Sequence, residues 1–301
     1  MKIKIGENII MEKLKKIFGG IELSWKKLII LAVIAGIYTA IMAIIPIAKD
    51  TSFSDITISF EVWILFGIFI IMNSKSAKDS ALKCFVFFLI SQPLIYLIQV
   101  PFSIFGWQIF VYYKYWFIWT LLTIPMGFIG YYMKKEKWWG LLILMPILLL
   151  LGKHFGDYLG QTMFSFPGHL LTTIFCIATM LIYPLAIFKD KKIRVAGVTT
   201  GIIILMIFGT LALIKPSIYD TIVLVNGGSE EAVFDDSYKV YLSDESFGTV
   251  DIRLEPGLDD WVVHAIFKKK GKTEVILEAA DGEQTIYEIT VQADTYNINK
   301  K

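Results

Sequence analysis

Seven polar side chains stand inside long apolar runs: Glu61, Gln92, Tyr96, Gln99, His169, Thr172 and Thr173. From His169, the residues Thr172, Thr173, Cys176, Thr179 and Tyr183 follow at +3, +4, +7, +10 and +14, which is one stripe of a helix. Gln92, Tyr96 and Gln99 repeat at +4 and +7 on another. Lipid offers such groups no partners, so both stripes are expected to face the interior of a helix bundle. There they do one of two things. As interhelical hydrogen bonds they contribute roughly 1 kcal/mol or less each. As the lining of a polar cavity, opening near Glu61, His169 and Gln99, they would bind a small solute or a lipid head group. A carboxylate at the bilayer centre costs on the order of 2.5–3.5 kcal/mol. Glu61 is therefore expected near the membrane edge, protonated or paired.

Other constellations carry less. His154, Asp157, His169 and Glu61 have the donor types of a zinc site, but their spacing matches no known ligand pattern, and no metal is expected. No cofactor is expected either, since G-x-S-x-G, P-loop and paired-glycine signatures are absent. An enzyme therefore ranks behind a binding or transport protein. Asp235-Asp236 and Asp259-Asp260 lack calcium-loop grammar and read as solubilising charge. Trp107, Phe110, Tyr112 and Tyr113 read as an interfacial aromatic belt. His264 alternates onto the strand face opposite Trp261, where an exposed or rim position is expected.

The elements that position these residues are written for lipid. The chain has 301 residues, 55% hydrophobic and 19% charged, with a mean hydropathy of +0.62, which indicates a polytopic α-helical membrane bundle. Seven spans are expected, at 28–48, 56–72, 81–100, 115–133, 138–155, 169–188 and 195–214. Starting the second span after Glu61 would leave about 11 residues, too few to cross a core of roughly 30 Å. The fifth has the shortest clean run and could be re-entrant. Pro46, Pro93, Pro125, Pro146 and Pro184 fall inside spans, where each is expected to kink a helix.

Charge sets the expected orientation. Residues 1–27 and the connections after the second, fourth and sixth spans are each basic, while the alternate connections hold only Lys49, Lys114 and Lys153. The rule that cytoplasmic loops carry Lys and Arg then puts the N-terminus inside and, after seven spans, the C-terminal part outside a bacterial cytoplasmic membrane. Residues 1–27 carry Ile10, Leu14, Ile17, Phe18 and Ile21 at helical spacing beside lysines, the pattern of an amphipathic helix on the anionic leaflet. Before Lys215 stand 20 basic and 10 acidic residues, and from it onward 9 and 17. A basic bundle, 28–214, is thus followed by an acidic module, 215–301, with Lys215 and Pro216 ending the last helix.

That module alternates apolar and polar residues with period two, giving about seven short strands that include YDTIVLV, EAVF and YKVYL. Asp281-Gly282 marks one hairpin and Lys268–Lys272 another. The only cysteines, Cys84 and Cys176, lie earlier, so the module must fold on an apolar core without disulfides. A small β-sandwich of immunoglobulin-like type is expected. Its ending, TEVILEAADGEQTIYEITV, resembles the last two strands of bacterial immunoglobulin-like and cadherin-like envelope modules. The membrane half resembles uncharacterised multi-span proteins of Gram-positive bacteria. That similarity carries no known activity with it. The compact acidic module, joined to the last span by almost no linker, is what leads to the expectation of an envelope-anchored interaction or ligand-binding protein whose partners are membrane lipids and an envelope protein or polymer, with no nucleic acid. The alternative is a transporter or lipid-handling protein using a polar cavity between spans three and six.

Overall fold

The computed structural model describes residues 12–49, 51–103, 105–135, 137–164, 166–214, 219–292 and 296–301. Ile10, Lys215 and Pro216 lie outside them. The chain divides into two compact units: Met1–Gly156 with Leu171–Gly209, and Asp157–Leu170 with Thr210–Lys301. The helices are α1 (Trp25–Ile44), α2 (Ser52–Asp55), α3 (Glu61–Met72), α4 (Ala77–Gln99), α5 (Phe110–Gly130), α6 (Trp138–Phe164), α7 (Leu170–Ile187) and α8 (Lys191–Ile214).

Six of these, α1 and α4 to α8, are long and apolar enough to cross a membrane. Large apolar side chains such as Ile34, Ile118, Leu142, Ile202 and Met206 are exposed along them, as a lipid-facing surface requires. The expected span that is missing from these six is the second, 56–72, which holds α3. Its 12 residues rise only about 18 Å, well short of a hydrocarbon core of roughly 30 Å. The expected fifth span, in contrast, is the longest helix. α6 runs on for 27 residues, about 40 Å, because Lys153, His154 and Asp157 interrupt its hydropathy without breaking its backbone.

Helix starts follow local chemistry. The hydroxyl of Ser76 accepts the Asp79 N–H at 3.1 Å, and the Asp190 carboxylate accepts the N–H groups of Lys192 and Ile193 at 2.8 and 3.1 Å. Pro93, Pro125, Pro146 and Pro184 lie inside α4 to α7. Pro46 does not: α1 stops at Ile44, the residue before the proline is extended, and Pro46 opens a short 3₁₀ turn. Small residues bring helices together. A β-carbon on Gly36 of α1 would meet the Ser91 carbonyl of α4 at 2.9 Å, and one on Gly127 of α5 would meet Ala81 at 3.0 Å. Ser80 donates its hydroxyl to the Gly127 carbonyl at 2.8 Å across the same α4–α5 contact.

Residues 12–17 are helical, and the segment after them is docked rather than left for the leaflet alone. Phe18 and Leu23 are buried. Asn73 accepts the N–H groups of Gly19 and Ile21 at 3.2 and 2.9 Å and donates to the carbonyls of Ile17 and Phe69 at 2.8 and 2.9 Å.

In the second unit β1 (Tyr219–Val225), β4 (Asp260–Phe267) and β3 (Gly248–Glu255) form one antiparallel sheet in the order β1-β4-β3. The other contains β2 (Lys239–Leu242), β5 (Gly271–Glu278), β6 (Gln284–Val291) and β7 (Tyr296–Lys300) in that order. Alternate residues meet in the core, among them Val263, Ala265 and Phe267 from β4, Val275 and Leu277 from β5, and Tyr287, Ile289 and Val291 from β6. The EAVF stretch forms no ladder. Ala232 and Phe234 are buried, but their backbone bonds go to Gly227 and to the Asn226 side chain. The seventh strand is instead β7, YNINK, paired with β6. His264 is also not a rim residue. It is 5% exposed, with Nδ1 3.1 Å from Asp251 and Nε2 on Asp220, the flanking strands supplying one carboxylate to each ring nitrogen.

Candidate functional site

The polar groups of the helical unit gather where the chain enters α3. Between α1 and α3, residues 51–60 hold only the single turn of α2 and irregular backbone after it, and backbone of that kind persists at membrane depth only when its polar groups are satisfied within the protein. Here they are. The hydroxyl of Thr51 donates to the Ala48 carbonyl at 2.6 Å, Ser54 to Thr51 at 2.9 Å and Thr57 to Ser54 at 2.7 Å. The indole of Trp63 closes the turn on the Ile56 carbonyl at 3.0 Å. Asp55, Ile56, Ser59 and Glu61 are all buried.

Glu61 begins α3, where first-turn N–H groups favour a negative charge. Its side chain is wholly buried, and Oε1 bonds His154 Nδ1 of α6. Phe60 lies 5.9 Å from the imidazole and packs on Trp116 and Trp119, which closes the pair off with aromatic rings. The second oxygen, Oε2, has no hydrogen-bond partner among the described residues. Cys176 and Tyr183 of α7 are fully buried, and the Tyr183 hydroxyl also lacks a partner.

A second acid stands nearby in sequence. Asp55 Oδ2 accepts the Thr172 hydroxyl at 2.5 Å, and Ser52 Oγ accepts the Thr172 N–H at 3.1 Å, capping the start of α7. Ser52, Asp55, Ser59, Val62, Thr172 and Phe175 contribute to the wall of a cavity of about 150 Å³.

The sequence-derived candidates are therefore distributed unevenly. Glu61 and Thr172 sit at this polar centre, and Thr173 is buried one residue on. The α4 stripe is outside the cavity wall. Gln92 is buried with Nε2 unpartnered, Tyr96 packs on Phe110 and Tyr113, and Gln99 turns its amide to the Ile95 carbonyl of its own helix at 3.1 Å. His169 belongs to the other unit, where its ring lies 5.8 Å from Tyr158. Asp55 and His154 are the residues that the polar stripes did not point to. His154 meets Glu61 across 93 residues, and no local spacing encodes such a pair. Among the described residues no group of three or more His, Cys, Asp or Glu side chains could hold a metal ion. Neither family models, nor curated proteins, nor solved structures give a match to this chain.

Proposed function

We propose that the helical unit is a transporter or lipid-handling protein whose binding step takes place at Glu61, and that the group bound there is a small cation, an ammonium or a transferable proton. The observation that carries this reading is the wholly buried Glu61 carboxylate, with one oxygen held by His154 and the other unpartnered. Ionisable groups among apolar helices are costly and concentrate on ion, proton and substrate pathways. The short α3 behind a broken, hydroxyl-satisfied turn is the kind of discontinuous helix on which membrane transporters build such sites. His154 orients Oε1 and can exchange a proton with it, while Oε2 accepts from the incoming donor.

The full chain reconstituted in vesicles that enclose a pH-sensitive dye tests the proposal. Wild type should collapse an imposed proton gradient, or one driven by ammonium or sodium, at least about tenfold faster than Glu61→Gln. Glu61→Gln protein that elutes and melts like wild type and dissipates every gradient equally fast would refute it.

A further inference from the structure

The strand-bearing unit is acidic, yet four of the nine basic residues from Lys215 onward stand within five positions at the turn between β4 and β5: Lys268, Lys269, Lys270 and Lys272. Two are already engaged. Lys269 Nζ lies 3.3 Å from Asp244 and 4.2 Å over the Phe247 ring, and Lys272 Nζ lies 3.3 Å from Glu288. Lys268 and Lys270 are exposed and have no acid partner among the described residues.

Stacked rings fix where this turn lies. Phe164, the last residue of α6, belongs to the same unit. Its ring stacks on Tyr219 of β1 at 6.4 Å and 7°, and Tyr219 stacks on Phe267 of β4 at 6.3 Å and 19°. Lys268 follows Phe267 directly, and its N–H bonds the Phe247 carbonyl at 2.7 Å. Lys270 Nζ stands 5.6 Å from the centre of the Phe164 ring. The turn is therefore built onto the end of a helix long and apolar enough to cross a membrane. α6 rises about 40 Å, against roughly 30 Å of hydrocarbon and roughly 40–45 Å for the whole bilayer, so a crossing α6 delivers Phe164 among the head groups. Met163 and Phe166, beside it in the chain, are exposed apolar side chains that suit that boundary. Nor can the chain carry β1 far from the surface: the five peptide steps from Ile214 of α8 to Tyr219 span at most about 18 Å.

We infer that Lys268 and Lys270 bind the phosphates of an anionic membrane surface and hold one end of the strand unit against the leaflet where α6 emerges. A lipid surface does not ask the two amines to converge, because each ammonium has three donors and takes its own phosphate. The rest of the unit, acidic overall, is repelled by the same surface, so the basic turn also decides which end faces it. The inference is independent of the Glu61 site.

The test uses the full chain in nanodiscs of phosphatidylcholine with phosphatidylglycerol, a trace of the phosphatidylcholine carrying a nitroxide on its head group. A fluorophore is attached at Lys272→Cys, next to the turn, in one protein and at Glu283→Cys in another. The ladder of β5 with β6 puts the second position beyond Glu278, about 23 Å along the strand from Gly271. The native Cys84 and Cys176 are buried. The first probe should be quenched and the second should not. In the Lys268→Gln/Lys270→Gln background, the ratio of quenched to unquenched probe at position 272 should fall at least about tenfold. With both lysines present it should fall likewise in phosphatidylcholine alone or in about 1 M salt. The lipid and salt arms do not use the double variant, so they decide if that variant fails to fold. Quenching at 272 that ignores phosphatidylglycerol, salt and both lysines overturns the inference, and so does equal quenching of the two probes. A turn that stays unquenched in the discs yet binds soluble polyglutamate assigns the lysines to an acidic polymer and overturns the lipid surface.

Discussion

Thr172 gives its hydroxyl to Asp55 at 2.5 Å across 117 residues, joining the first turn of α7 to the broken entry of α3. Thr172→Val keeps the shape of the side chain and removes the donor. Weakening a buried bond to a carboxylate costs about 1–3 kcal/mol. Thermal unfolding of the detergent-solubilised chain should show that loss for Thr172→Val and most of the stability restored in Thr172→Ser. If Asp55→Asn already lacks the interaction, adding Thr172→Val to it should cost less than it does alone, and a double-mutant cycle measures the difference.

His154→Gln separates geometry from proton exchange. An amide can still hold Glu61 Oε1 by donating to it, but it cannot accept a proton. The variant should fold like wild type while its gradient dissipation falls about as far as that of Glu61→Gln. Full activity in the His154 variant would reduce the imidazole to a structural partner.

Gly248 opens β3 at φ 155°, and a β-carbon there would overlap the Ile266 carbonyl oxygen. Gly248→Ala must therefore push β3 away from β4, at a cost of about 3 kcal/mol or more. Limited proteolysis of the full chain should cut the variant faster within residues 219–301 and leave the digestion pattern of the helices unchanged.

Acid should loosen the turn before β3. The Ser246 hydroxyl and N–H both donate to Asp244 and hold its carboxyl below the ordinary value of 3.8. A lowered folded pKa means that the ionised form is favoured by folding. The contribution is complete above the unfolded pKa and is lost as pH falls through the folded one. Asp244→Asn should flatten that acid limb. Comparing the pH dependence of protease resistance for the two proteins checks the sign.

Orientation can be read with single cysteines, because Cys84 and Cys176 are buried and leave a silent background. A cysteine replacing Glu283 is expected to react with an impermeant maleimide in intact right-side-out vesicles, and one replacing Lys192 only after permeabilisation. The reverse pattern would place the β-strand unit inside. Labelling of both in intact vesicles would mean that α8 does not separate them.

How much of this was readable beforehand follows from the range of each interaction. The β5–β6 hairpin needs only period-two alternation and the Asp281-Gly282 turn, and α8 needs only an uncharged run, so both were legible. β7 was not: YNINK is polar, and it becomes a strand because β6 offers it an edge and Tyr296 bonds the Ile222 carbonyl at 2.7 Å. His264 was misplaced because alternation gives a residue's face but not what the neighbouring strands put over it. At the candidate site Glu61 stood out as a charge among apolar residues. Its partner did not, because Lys153, His154 and Asp157 together look like a helix end when α6 in fact continues through them. The stripe on α7 marked Thr172 correctly as an inward residue, and only the fold could supply Asp55 as its acceptor.

Asn73 also sets an order of assembly. The amides of Gly19 and Ile21 leave the ribosome more than fifty residues before the side chain that will accept them, so until α3 has been made they can only be solvated. The stretch from Ile17 to Ile21 of the newborn protein therefore gains its hold only once Asn73 has followed it, so its docking belongs to the growing bundle and not to the nascent end.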